Sequence, residues 1–253
     1  MEFTKKPNEI VIVRSLYLRG IAIVYLIANL SLYSQVQGLF GDEGLYPAKN
    51  FMMKLNETFK ENSNFFNFPT LLHFSGIFNL LLTYFLPELK HFSAEENTIH
   101  FLCLLSILIS LLITLNNKVF FNSIGFFVLW IIYLSFYITG QMFISQQWDL
   151  LLLESGFLAV LFSPWRNFDL SNITFSQYTV YYLLRFLMFR ISFMNGVGKI
   201  LSGCQIWANF EAFKYFFQTT PLPHIYSYIL HSSISYEIQK VVVGFIYILE
   251  VYI

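Results

Sequence analysis

The sequence predicts an all-α fold, a multi-pass transmembrane helical bundle with about six or seven membrane segments. Three observations carry this expectation. Of the 253 residues, 56% are hydrophobic and 12% are charged, whereas soluble domains carry about 25% charged residues. Apolar runs of membrane length recur along the chain, separated by shorter polar stretches, and the mean hydropathy is +0.58. Finally, 30 Phe and 16 Tyr suit lipid-facing helices and interfacial aromatic belts. Fifteen basic residues balance 15 acidic ones. With no basic excess to engage a phosphate backbone, nucleic acid is excluded as a partner, and membrane lipids are expected.

The first apolar run covers 15–36. Its flanks, with Lys5, Lys6, Arg14 and Arg19 and no small-residue cleavage pattern, read as a retained signal-anchor helix. After the polar loop from Gly41 to Pro47, Lys54, Glu57, Lys60 and Glu61 alternate in sign, as in a short amphipathic surface helix. The run 69–86 opens at Pro69 and stops before Pro87. The runs 98–115 and 120–142, joined by Asn116, Asn117 and Lys118, read as a transmembrane hairpin. Segment 148–163 is short for a span and reads as either spanning or re-entrant. Residues 180–200 form another run, 202–239 a wetter stretch, and 241–253 a last run of about 13 residues. Thirteen helical residues reach roughly 20 Å, against a hydrocarbon core of about 30 Å, so the chain is expected to be part of a longer protein. No repeat or low-complexity linker interrupts it, and 1–253 is read as a single transmembrane helical domain.

The positive-inside rule puts the N-terminus on the cytoplasmic side. Loop 38–68 then lies on the far side, with 166–176 if 148–163 spans. Each loop holds an N-glycosylation sequon, at Asn56 and Asn172. Cys103 and Cys204 read as packed thiols. The five histidines (His73, His91, His100, His224 and His231) lack ligand spacing, and no HExxH, GxSxG, CxxC or phosphate loop occurs. No catalytic, metal or cofactor residue is therefore named, and an enzyme is not expected.

The candidate site is a set of ionisable residues inside membrane segments. An ionisable side chain at a span centre costs about 2.5–3.5 kcal/mol on insertion scales, and such groups persist when paired, hydrated or functional. Asp149 and Glu154 fall on one segment, Arg185, Arg190 and Lys199 on a later one. The acids share the spacing of the arginines, so antiparallel helices would pair Asp149 with Arg190 and Glu154 with Arg185. Five residues place the two acids about 140° apart on a helix, which argues against a two-carboxylate catalytic pair. A register-fixing clamp and a polar cavity for a client, lipid or proton both remain open.

The stretch from Gln147, Trp148 and Asp149 through Glu154, Ser155 and Gly156 to Ala159 resembles the QWDxLLLExGFLA signature of the lipase maturation factor family. Leu184–Arg190 is similar to its LLRWLLFR helix, Asn195–Cys204 to its SGVVKLLSGC turn, and Pro221-Leu222-Pro223 to its PLP motif. Arg19–Ala28, Gln37–Gly41 and Gly44–Ala48 resemble its first helix and loop. The resemblance implies a multi-pass endoplasmic-reticulum protein that helps secreted lipases of the lipoprotein lipase type fold and assemble as active dimers. It transfers no catalytic residues, and the five intramembrane charges all fall inside the matched motifs. Two departures stand out. The family has a large lumenal C-terminal region beyond the point reached here. Before the PLP motif its pattern is close to YHYETQ, whereas this chain has Phe216, Gln218 and Thr220 at the His, Glu and Gln positions. Two functions of different class follow. One is a folding helper for a client lipase. The other is a repurposed accessory subunit of a large membrane complex, in the mitochondrial inner membrane. The proposed charge pairing has a direct check: swapping the charges of Glu154 and Arg185 together is expected to restore the folded yield that either single swap lowers, and failure of that rescue removes the pairing.

Overall fold

A computed structural model of the chain describes residues 7–59, 65–85, 87, 91–115, 119–165, 175–219 and 224–252. Every regular element among them is helical, as the composition predicts. The chain read as one domain divides into two compact units, Met1–Tyr181 and Tyr182–Ile253.

The first unit is built on four long helices, α1 (Pro7–Leu39), α4 (Ala94–Thr114), α5 (Ser123–Thr139) and α6 (Gln147–Phe162). Each is largely apolar, with its few charged residues set among lipid-matching and helix-packing side chains. Two apolar stretches, Ile10–Leu39 and Ala94–Thr114, are long enough to cross a membrane; Leu71–Phe85 and Ser123–Thr139 are apolar but shorter. Neighbouring helices run antiparallel. Ser123 and Ser163 hydroxyls meet at 3.0 Å, Trp130 donates to the carbonyl of Leu153 at 3.0 Å, and Tyr133 reaches Asp149, so α6 lies against α5 over its whole length. On α1, Leu18, Ala22, Tyr25, Leu32 and Val36 are buried, the spacing of one helical face. On α4, Ser106 and Ser110 are buried as well. Their hydroxyls turn back to their own helix, Ser110 to the carbonyl of Ser106 at 2.7 Å, and small residues of this kind let helices approach closely.

After α1 comes α2 (Ala48–Phe59), the amphipathic surface helix that the charge alternation predicts. It buries Ala48, Met52 and Leu55 and packs on α4. The run 69–86 resolves into a 3-10 turn at Leu71–Phe74 followed by α3 (Ser75–Phe85). Its first turn is held within the bundle, where the Leu71 N–H donates to Ser135 Oγ of α5 at 3.0 Å. Asn97 Nδ2 donates to Asn79 Oδ1 at 2.8 Å, fastening α3 to α4.

Helix α7 (Phe175–Leu201) begins in the first unit and supplies the second from Tyr182 onward. Three short helices follow, α8 (Gln205–Ala208), α9 (Ala212–Thr219) and α10 (Ile225–Ser233), and then α11 (Tyr236–Tyr252). The described residues of the wetter stretch 202–239 are therefore mostly helical but broken, and the helix that carries the last apolar run starts ahead of it, at Tyr236. Gly203, at φ +63°, ends α7 in the left-handed conformation that glycine adopts without a Cβ clash. Trp207 and Phe210 pack edge-on against Tyr247 of α11, with ring centroids 6.3 and 5.7 Å away.

At Gly156, α6 makes room for Tyr25 of α1. A Cβ there would overlap Tyr25 Oη and sit 3.0 Å from the ring Cζ. Gly156→Ala is expected to destabilise the protein by about 1–3 kcal/mol. Because the phenol oxygen is the nearest atom, adding Tyr25→Phe should recover part of that loss. Thermal unfolding in detergent of both singles and the double measures the coupling.

Candidate functional site

Asp149 and Glu154 lie on α6 in the first unit, and Arg185, Arg190 and Lys199 on α7 in the second. Asp149 is 7% exposed, Glu154 half-buried, and both arginines exposed.

Asp149 sits in the first turn of α6, where the positive end of the helix dipole favours a carboxylate. Its Oδ2 accepts the Gln146 N–H at 3.1 Å, the return half of a capping box. Its Oδ1 accepts the Tyr133 hydroxyl of α5 at 2.6 Å. Tyr133 in turn packs edge-on against Tyr25 of α1, centroids 5.7 Å apart. Asp149 therefore ties three helices together through one cap. Beside it lies a cavity of about 390 Å³, lined by Ser31, Gln35, Tyr133, Trp148, Asp149 and Leu152 among others. Of the family signature, Trp148 is 68% exposed, Gln147 is exposed and Gly156 receives Tyr25.

Lys199 pairs with Glu250 of α11, and its ammonium lies 5.0 Å from the ring centroid of Trp207. The approach is possible because Gly196, one turn earlier on α7, leaves room for α11: a Cβ there would be 3.0 Å from Val251 Cγ2. Sequence reasoning missed Glu250. The available signal was that Glu250 is the only charged residue in the run 241–253, and a lone charge in such a run needs a partner. Lys199 borders a cavity of about 810 Å³ lined by Gly203, Cys204, Trp207, Phe210, Gly244 and Tyr247 among others.

A third polar anchor was read from the sequence only as a flanking charge. Arg14 of α1 is fully buried. Its Nε donates to the carbonyl of Phe162, the last residue of α6, at 2.6 Å, and its guanidinium sits 5.7 Å from the Phe162 ring centroid. A cation at a helix C-terminus complements the dipole there.

Of the two sequons, Asn56 is exposed on α2, and Asn172 lies outside the described residues. So do Pro221, Leu222 and Pro223 of the PLP motif. Phe216 is 51% exposed on α9, and Gln218 Nε2 lies 3.1 Å from His231 Nε2. Both cysteines are free, Cys103 buried and Cys204 partly so. Among the described residues, no three His, Cys, Asp or Glu side chains converge as a metal site requires.

The Lys199–Glu250 pair yields an order of stabilities. Lys199→Met leaves a half-buried carboxylate without its ammonium and is expected to cost about 1–3 kcal/mol. Lys199→Met with Glu250→Met removes both charges and should cost less than either single. Melting temperatures of the four proteins in one detergent give the order; additive losses would show that the two groups do not act as a pair.

The profile of the family described as the lipase maturation factor transmembrane domain matches residues 12–253. Lipase maturation factor 2 of Xenopus tropicalis is 35% identical over 240 residues, 94% of this chain and 32% of that protein. Its Homo sapiens counterpart is 32% identical over 219 residues, 83% of this chain and 29% of that protein. Lipase maturation factor 1 of Mus musculus is 28% identical over 224 residues, 87% of this chain and 36% of that protein. The chain thus spans about a third of the length of the curated relatives it matches. No solved structure matches it. A helical chain that this profile matches from residue 12 to residue 253 belongs to the lipase maturation factor family.

Proposed function

We propose that this chain is the membrane-embedded part of a folding helper that assists the assembly of secreted dimeric lipases in the endoplasmic reticulum. The observation that carries this reading is the family match over residues 12–253. The proteins it resembles are named for the maturation of lipases. A non-enzymatic role agrees with how the motif charges are used. Asp149 caps α6 and holds Tyr133, and Lys199 is engaged by Glu250. These contacts use both side chains in packing.

The accessory-subunit reading rests on lost polar groups: Phe216, Gln218 and Thr220 stand where the pattern this chain resembles has His, Glu and Gln, as expected of a scaffold reused as a structural subunit.

Two measurements test the folding role. In cells lacking the protein, secreted lipase activity per unit of lipase antigen is expected to fall severalfold and to return on re-expression; unchanged specific activity would remove the lipase assignment. Glycosidase treatment of the natively expressed protein is expected to shift its mass, and Asn56→Gln or Asn172→Gln should abolish the shift at the modified site. Recovery of the protein in mitochondrial membranes without such a shift would favour the subunit.

A further inference from the structure

At the start of α4 the first unit holds a cavity of about 590 Å³, lined by Tyr33, Phe92, Glu96, His100, Phe101 and Leu104 among others. Ligand pockets run from about 300 to 1,000 Å³, so the space suits a small group together with the start of a chain.

Glu96 is 3% exposed. One of its oxygens holds the fold together. Oε2 accepts the Asp42 N–H at 2.8 Å, while Asp42 Oδ2 accepts the Ser93 N–H at 2.9 Å. This exchange clamps the loop after α1 to the first turn of α4. The other oxygen is not used in the clamp. Oε1 faces His100 Nε2 at 4.0 Å, beyond hydrogen-bond reach, and no Lys or Arg among the described residues pairs with Glu96. His100 is itself held edge-on by Tyr33, with ring centroids 5.6 Å apart. A buried carboxylate is ordinarily matched by a positive charge, and here the side open to the cavity is faced by aromatic rings. Asp42, bound to the Ser93 N–H, and Glu95 of the first turn add negative charge at the same helix start, which disfavours an anion.

We propose that this cavity binds an alkylammonium group, its charge held by Glu96 Oε1 and its methyl or methylene groups by Tyr33, Phe92 and Phe101. A carboxylate with aromatic faces is the chemistry that recognises such cations. From the cavity, Leu104, Leu108 and Leu111 continue along α4 as an exposed stripe, 50%, 53% and 40% accessible. An apolar tail attached to the ammonium would lie along this stripe, as a membrane lipid's would. The site is independent of the lipase reading and stands or falls without it.

The test uses the full-length protein in nanodiscs of phosphatidylglycerol, which carries no ammonium. The probe is a trace of an alkyl trimethylammonium amphiphile with a diazirine in its tail, beside a matched alkyl maltoside. The ammonium probe is expected to label the peptide spanning residues 82–111 about tenfold more than the maltoside does. E96Q retains an acceptor for the Asp42 N–H but lacks the charge, and should bring the two probes level. Y33L, which leaves the carboxylate and the clamp untouched, should weaken labelling in the same direction. Displacement by millimolar tetramethylammonium would identify the bound species as a free small cation, and displacement only by chain-bearing ammonium compounds would identify it as a lipid head group. Equal labelling by the two probes in the unmodified protein, or undiminished ammonium labelling in both E96Q and Y33L, overturns the proposal.

Discussion

The first unit depends on a set of side-chain hydrogen bonds aimed at the backbone of α6. Arg14 donates to Phe162, Tyr17 to Ser155 at 2.6 Å and Trp130 to Leu153. In lipid, association between helices gains little from apolar burial, because the alternative surroundings are equally apolar. Polar groups placed where no water can serve them carry the specificity instead. A helix carbonyl retains a second lone pair after its own helical bond, so α6 can accept these donors without losing its fold. The donors come from two helices, and only one register of α1 and α5 against α6 brings them all to their carbonyls.

The same economy appears in the charges. Asp149, Arg14 and Lys199 occur where a lone charge would be costly, and each is placed where a helix end or an opposite charge offsets that cost. Asp149 lies at the positive end of α6 and Arg14 at its negative end; Lys199 meets Glu250. Two of these three therefore serve one helix as its opposite caps. This explains how a carboxylate can open an apolar segment: it belongs to the first turn, where it caps the helix.

Glycine completes the arrangement at two crossings. Gly156 admits the Tyr25 phenol against α6, and Gly196 lets α11 approach α7 closely enough for Lys199 to reach Glu250. In each case a missing side chain on one helix makes room for a polar or aromatic group on another. That role has no trace in hydropathy, although both glycines fall within the family motifs.

The sequence by itself determined the all-α class, the membrane setting, the places of the long helices, the amphipathic α2 and the family. These follow from composition, from the length of apolar runs and from motifs, all of which are local. Only the tertiary structure decided what the charges touch. Arg14 read as a flanking charge because its acceptor is a backbone carbonyl 148 residues away, and carbonyls are the same in every sequence. Glu250 was passed over because its partner lies 51 residues earlier on another helix. The run 69–86 read as one continuous helix, whereas a backbone bond to Ser135 of α5 anchors a 3-10 turn at its start. In each instance the deciding atom belongs to a distant segment, and periodicity along the chain carries no record of which distant groups a fold brings together.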